Sequence, residues 1–204
     1  MSNLFDLSGR VALVSGAAQG MGRAMALALA EAGADLLLVD VNAAGAEKSA
    51  EQIVSLGRRA RAVACDVSVP EQIRAAFAVL DREFGRLDFL GNVAGEAVRA
   101  APEAIALEDV EWTWRNLVYG RFCCCQEAGR RMLAAGRGSI VNIGSLASVT
   151  AMGRGHVASA SERAVRKLRE TAAGIVALSV RGKPLPNVVN GVAANEGGSG
   201  VQPL

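Results

Sequence analysis

Apolar residues along the 204-residue chain fall into short runs separated by longer stretches of helical period. Six runs read as strands: VALVS (11–15), DLLLVD (35–40), RAVAC (61–65), LDFLGN (87–92), SIVNIG (139–144) and NVVNGV (187–192). Such continuous apolar runs suit strands buried on both faces, as in a parallel sheet covered by helices. The stretches near 20–32, 43–57, 70–84, 108–135 and 157–180 read as helices. Pro70 stands where a helix tolerates it, in the first turn, with Glu71 beside the positive end of the dipole. Strand and helix alternate throughout. Right-handed crossovers then predict an α/β fold, a three-layer doubly wound parallel sheet of the Rossmann type with about six strands. The chain reads as a single domain over 1–204, with a Gly-rich flexible tail at 195–204.

Composition narrows the function classes. Half the residues are apolar (51%) and few are aromatic (4%), so the core is built mainly from Ala, Val and Leu. The formal net charge of +2 is dispersed, without a basic and aromatic patch, which argues against nucleic acid or a membrane surface as partner. The opening MSNLFDLSGR lacks the pattern of a signal peptide, and no apolar run reaches the ~18 residues of a membrane span. Cys65 and the run Cys123, Cys124, Cys125 form no CxxC pair. They read as reduced thiols of a cytoplasmic protein, packed as small apolar residues, and no metal site is expected.

The opening unit carries the first chemistry. A strand runs into Gly16, Gly20 and Gly22, then a helix, then a second strand ending in Asp40. Gly16 permits the tight turn, Gly20 lets backbone approach a pyrophosphate, and Gly22 lets the helix lie close on the sheet. The helix N-terminus offers free N–H groups and positive dipole to phosphate. Asp40 can accept hydrogen bonds from both adenosine-ribose hydroxyls. It would also repel a 2′-phosphate, and Gln19, Val41 and Asn42 supply no cation, so NAD(H) is favoured over NADP(H).

The spacing G-x-x-x-G-x-G at 16–22 resembles the short-chain dehydrogenase/reductase family. So do CDV (65–67), NVAG (92–95), Asn116 in WRNLVYGRF, GSIVNIGSLAS (138–148), SERAV (161–165) and VVNGVA (188–193), which together span nearly the whole chain. The resemblance implies cofactor contacts from Gly16, Gln19, Gly20, Met21, Gly22, Asp40, Asp66, Val67, Asn92, Ala94 and Gly95. It implies catalytic roles for Asn116 and Ser145. Each polar residue also has a plainer role open to it. Asn92 can tie strands together, Asn116 can bind helix backbone or water, and Ser145 alone is an ordinary strand-end hydroxyl.

The same resemblance exposes a departure. In the family a tyrosine follows the serine by thirteen residues, and a lysine follows the tyrosine by four. Counting from Ser145 reaches Ala158 and then Glu162, and aligning on SERAV gives the same positions. Alanine has no titratable group, and glutamate inverts the charge that would favour a phenolate. Ala194 and Asn195 replace the usual Pro-Gly, and the chain reads as shortened at its C-terminus relative to the family.

Three functions therefore stand open. The first is an NAD(H)-binding oxidoreductase homologue with weak or no alcohol/carbonyl hydride transfer, a pseudoenzyme. The second is an active enzyme, an NAD-dependent alcohol/ketone oxidoreductase or a non-redox enzyme, using a displaced base such as His156, or Glu162 with Ser145. The third is a structural partner of an active homologue. Against a role for Glu162, its i,i+4 spacing with Arg166 suits a solvated helix face. The resemblance implies a homodimer or homotetramer pairing through the two long helices, with Leu117, Phe122, Val165, Leu168 and Ile175 as candidate contacts; covering the sheet is the other role open to them. Substrate identity stays open.

Overall fold

The computed structural model describes residues 5–98, 100 and 104–145. Among these, β1 (Val11–Ser15), β2 (Asp35–Asp40), β3 (Ala60–Ala64), β4 (Phe89–Asn92) and β5 (Ser139–Asn142) alternate with helices. The sheet is wholly parallel in the order β3-β2-β1-β4-β5. The helices are α1 (Gly20–Glu31), α2 (Ala43–Ser55), α3 (Pro70–Phe84), α4 (Leu107–Trp114) and α5 (Gly120–Ala134), with a π-helical turn, Arg115–Tyr119, joining the last two. The expected strand at 187–192 and helix at 157–180 lie outside the described residues.

Alternation along the central strands builds two cores, since successive side chains point to opposite faces. Val11, Leu13, Leu37, Val39 and Leu90 pack with Ile73 and Phe77 of α3 and with Cys124, Ala128 and Met132 of α5. Ala12, Val14, Leu36 and Leu38 pack with Ala26 and Ala30 of α1 and with Ala50 and Ile53 of α2. The result is the three-layer arrangement that the pattern predicts. The Pro70 helix keeps its expected bounds, ending where Gly85 takes the left-handed conformation (φ +69°). That backbone is cheap only for glycine.

Some boundaries differ from the reading of the sequence. β3 starts one residue early, at Ala60, and β4 starts two residues late, at Phe89. The residues before Phe89 belong to a charged clamp. Asp88 accepts from Val11 N–H (3.0 Å), from Arg10 (3.2 Å) and from both arms of Arg86 (2.7 and 2.6 Å), and Arg137 stands 3.6 Å away. One carboxylate thus joins the amino ends of β1, β4 and β5. The single helix expected over 108–135 carries a π turn in its middle. Of the residues expected on a pairing face, Leu117 is buried and Phe122 is about half exposed, while Val165, Leu168 and Ile175 lie outside the described residues.

Candidate functional site

A crevice of about 340 Å³ opens at the carboxyl ends of the strands, where the chain order reverses between β1 and β4. In doubly wound sheets this switch point is where ligands bind. Eleven of the residues singled out in the sequence line it together: Gly16, Gln19, Gly20, Met21, Gly22, Asp40, Asp66, Val67, Ala94, Gly95 and Asn116.

The glycines do separate jobs. Gly16 sits at φ +70°, and a Cβ there would lie 2.9 Å from Ala94 N, so the turn rests on the loop after β4. Gly20 has φ +53° and open space where a Cβ would project. Gly22 is the most constrained, because a Cβ would stand 2.0 Å from the Gly16 carbonyl oxygen. Helix α1 therefore starts pressed against the turn. Its first turn holds no acidic residue and Gln19 offers no side-chain cap, so free N–H groups and positive dipole face the crevice. Ser15 directly precedes the motif. Its buried hydroxyl accepts from Val93 N–H and Ala94 N–H, both at 3.1 Å, and so fixes the opposite wall.

Asp40 is tied as well as positioned. One carboxylate oxygen accepts from Ala18 N–H (2.9 Å) and the other from Asn42 N–H (2.8 Å). Each oxygen keeps a further lone pair. Asp66 accepts from Ser68 N–H (2.8 Å), while its own N–H donates to Gln72 Oε1 (2.8 Å). Helix α5 closes on this turn. A Cβ at Gly120 would lie 2.0 Å from the Val67 carbonyl oxygen, so only glycine admits the contact.

Asn116 lies in the π turn, nearly buried and on the crevice wall. π turns inside α-helices gather at functional sites, because the extra residue redirects a side chain. Asn92 lies deeper than the other expected cofactor residues. It is 1% exposed and lies off the crevice wall. Its side chain donates to Asn142 Oδ1 (2.8 Å), with Cys125 Sγ at 3.4 Å. The two asparagines face each other in the β4–β5 register, so the buried amide is satisfied across the sheet. Ser145 is exposed past the end of β5 and off the crevice wall. Tyr119, the only tyrosine, is 59% exposed and also off the wall. His156, Ala158 and Glu162 lie outside the described residues.

Five lining residues were not among the expected cofactor or catalytic positions: Val41, Cys65, Val93, Glu96 and Trp112. Trp112 precedes Asn116 by one helical turn, and Glu96 directly follows NVAG, so both were within reach of spacing arguments. Burial, with help from Asp66 and Cys123, pushes the Cys65 thiol up to about 11. Among the described residues no cluster of His, Cys, Asp or Glu is set to hold a metal, and no helix is long and apolar enough to cross a membrane.

Comparison with known proteins agrees with this architecture. D-threitol dehydrogenase of Mycolicibacterium smegmatis is 45% identical over 154 residues, covering 76% of this chain and 59% of that protein. NAD-dependent glycerol dehydrogenase of Listeria innocua is 34% identical over 160 residues, covering 78% and 61%. The chain thus spans about three-fifths of the length of these relatives. The crystal structure of NAD+-bound xylitol dehydrogenase superposes with a TM-score of 0.81 at 33% identity, covering 85% of this chain and 67% of that one. A short-chain type dehydrogenase/reductase from Mycobacterium marinum gives a TM-score of 0.82 at 30% identity, covering 87% and 73%. The pattern that defines the short chain dehydrogenases matches residues 10–180, and with the parallel sheet and its glycine turn it makes this chain a member of that family.

Proposed function

We propose that the chain binds NAD(H) across the crevice and has little or no alcohol/carbonyl hydride-transfer activity. The observation that carries the first half is the cradle itself. Gly22 is locked on the Gly16 carbonyl, Gly20 faces open space, and the start of α1 faces the same crevice as Asp40. A pyrophosphate on the N–H groups of α1 and a ribose on the remaining lone pairs of Asp40 suit that cradle. Asp40 followed by Val41 and Asn42 disfavours a 2′-phosphate. When bound, the nicotinamide supplies or accepts a hydride.

The second half rests on the sequence at Ala158 and Glu162. Hydride transfer to a carbonyl needs a proton delivered to its oxygen, and a positioned donor contributes ~10²–10⁴-fold. Neither residue resembles the family's tyrosine and lysine. Ser145 and Asn116 remain as groups that could orient a substrate oxygen, without a phenol to protonate it.

Calorimetric titration with NADH and NADPH tests the binding. NADH is expected to bind at least about tenfold more tightly, a gap of ~1.4 kcal/mol, and Asp40→Asn should narrow it. No heat with either cofactor overturns the binding. The named relatives act on polyols, so D-threitol, glycerol and xylitol are the compounds to try while following NADH absorbance. Turnover abolished by His156→Ala would defeat the inactive reading in favour of a displaced base.

A further inference from the structure

We infer that Glu96 biases the site toward the oxidised cofactor, NAD+, over NADH; the inference rests on the nucleotide-binding reading above. The two forms share adenosine, pyrophosphate and both riboses. They differ by one positive charge on the nicotinamide ring, so only a charge near that ring can tell them apart.

Topology places Glu96 at that end. Asp40 and Asp66 follow β2 and β3, on the adenosine flank, whereas the loop after β4 carries Ala94, Gly95 and Glu96 to the opposite flank of the same crevice. The loop backbone is held firmly. Ser15 accepts from Val93 and Ala94 N–H groups. Gly95, at φ +153°, has no room for a Cβ, which would meet Leu117 Cδ2 at 2.4 Å and Arg121 Nη2 at 2.9 Å. The next residue, Glu96, is exposed and lines the crevice. A carboxylate on a fixed backbone makes a defined field rather than a wandering one.

The rest of the lining does not cancel it. Asp40, Asp66 and Glu96 are the charged lining residues among those described, and none is Lys or Arg. Arg121 lies beneath Gly95 and is 5% exposed. It acts on both cofactor forms in every variant of Glu96, so it drops out of the comparison. Asp40 and Asp66 sit at the far end, where screening over a Debye length of ~8 Å weakens their reach. One unit charge within about a Debye length of the ring, across a partly hydrated crevice, changes relative affinity by about three- to tenfold.

Titration of the full chain with NAD+, NADH and ADP-ribose, for the parent and for Glu96→Gln, reads this directly. Glu96→Gln is expected to lower the ratio of NAD+ to NADH affinity about fivefold. ADP-ribose, which lacks the cationic ring, should gain affinity along with NADH. Glu96→Asp should keep the parent ratio, and high salt should shrink the difference. Because Glu96 is exposed, the variants should unfold at the parent temperature. A ratio unchanged in Glu96→Gln, or shifted toward NAD+, overturns the assignment while leaving nucleotide binding intact. A parent that binds none of the three ligands removes the nucleotide reading and this inference together.

Discussion

Gly22→Ala is a test of the packing on which the crevice depends. The added methyl would stand 2.0 Å from the Gly16 carbonyl oxygen, 2.5 Å from its carbon and 3.1 Å from the Ser15 carbonyl oxygen. All three partners are backbone, so no rotamer change relieves the clash. Helix α1 must retreat from the turn by roughly 1 Å. Overpacking of this kind costs ~1–3 kcal/mol, and rigid partners put it near the upper end. Alanine returns up to ~1 kcal/mol through helix propensity. The net loss is about 2 kcal/mol, or ~4–8 °C in unfolding temperature for a domain of this size. Gly129→Ala is the matched control. It lies in α5 with nothing within 4 Å of its Cβ position, so the same change should raise stability by up to ~1 kcal/mol. Thermal unfolding followed by circular dichroism reads both, and NADH titration of Gly22→Ala should show at least tenfold weaker binding. If Gly22→Ala melts no lower than the parent and keeps its NADH affinity, the close approach of α1 to the turn is refuted.

Two further outcomes follow from charge and burial. Burial opposes ionisation of Asp88, but Arg86, the Val11 N–H and Arg10 outweigh it and hold the carboxyl below the usual range. A carboxyl depressed in the folded state stabilises above its unfolded value near pH 4, and that stability is lost as pH falls through the folded value. Denaturant unfolding between about pH 2 and 5 should therefore show a falling limb that Asp88→Asn flattens; an unchanged limb would mean that the clamp carries no linkage. Burial comes first among the causes that raise the Cys65, Cys123, Cys124 and Cys125 thiols. Thiol labelling at pH 8 should accordingly be slow in the native protein and reach all four only after unfolding, and rapid native labelling would contradict the packing.

The layers of the fold were legible because they rest on local rules. Short continuous apolar runs set the strands and period-3.6 stretches the helices, Pro70 marks a helix start, and the glycine spacing at 16–22 places a turn. The π turn was not legible, because no residue in RNLVY announces it and Gly120 against Val67 is a contact between distant segments. Asp40 was legible as the acid that ends β2 beside the glycine turn but not as the staple of that turn, since its bonds to Ala18 and Asn42 need coordinates. Asn92 had two roles open in the sequence, a cofactor contact and a tie between strands. Its amide bonds across the sheet to Asn142, a pairing of distant segments that spacing alone does not reveal.

The Asp88 clamp has an evolutionary consequence. It fastens three strands at the rim opposite the crevice, so the sheet's electrostatic anchorage and its ligand-facing rim draw on separate residues. Residues on the upper rim can then change without unseating the strands below. A fold partitioned in this way tolerates changes of occupation that a fold anchored through its own active centre would not survive.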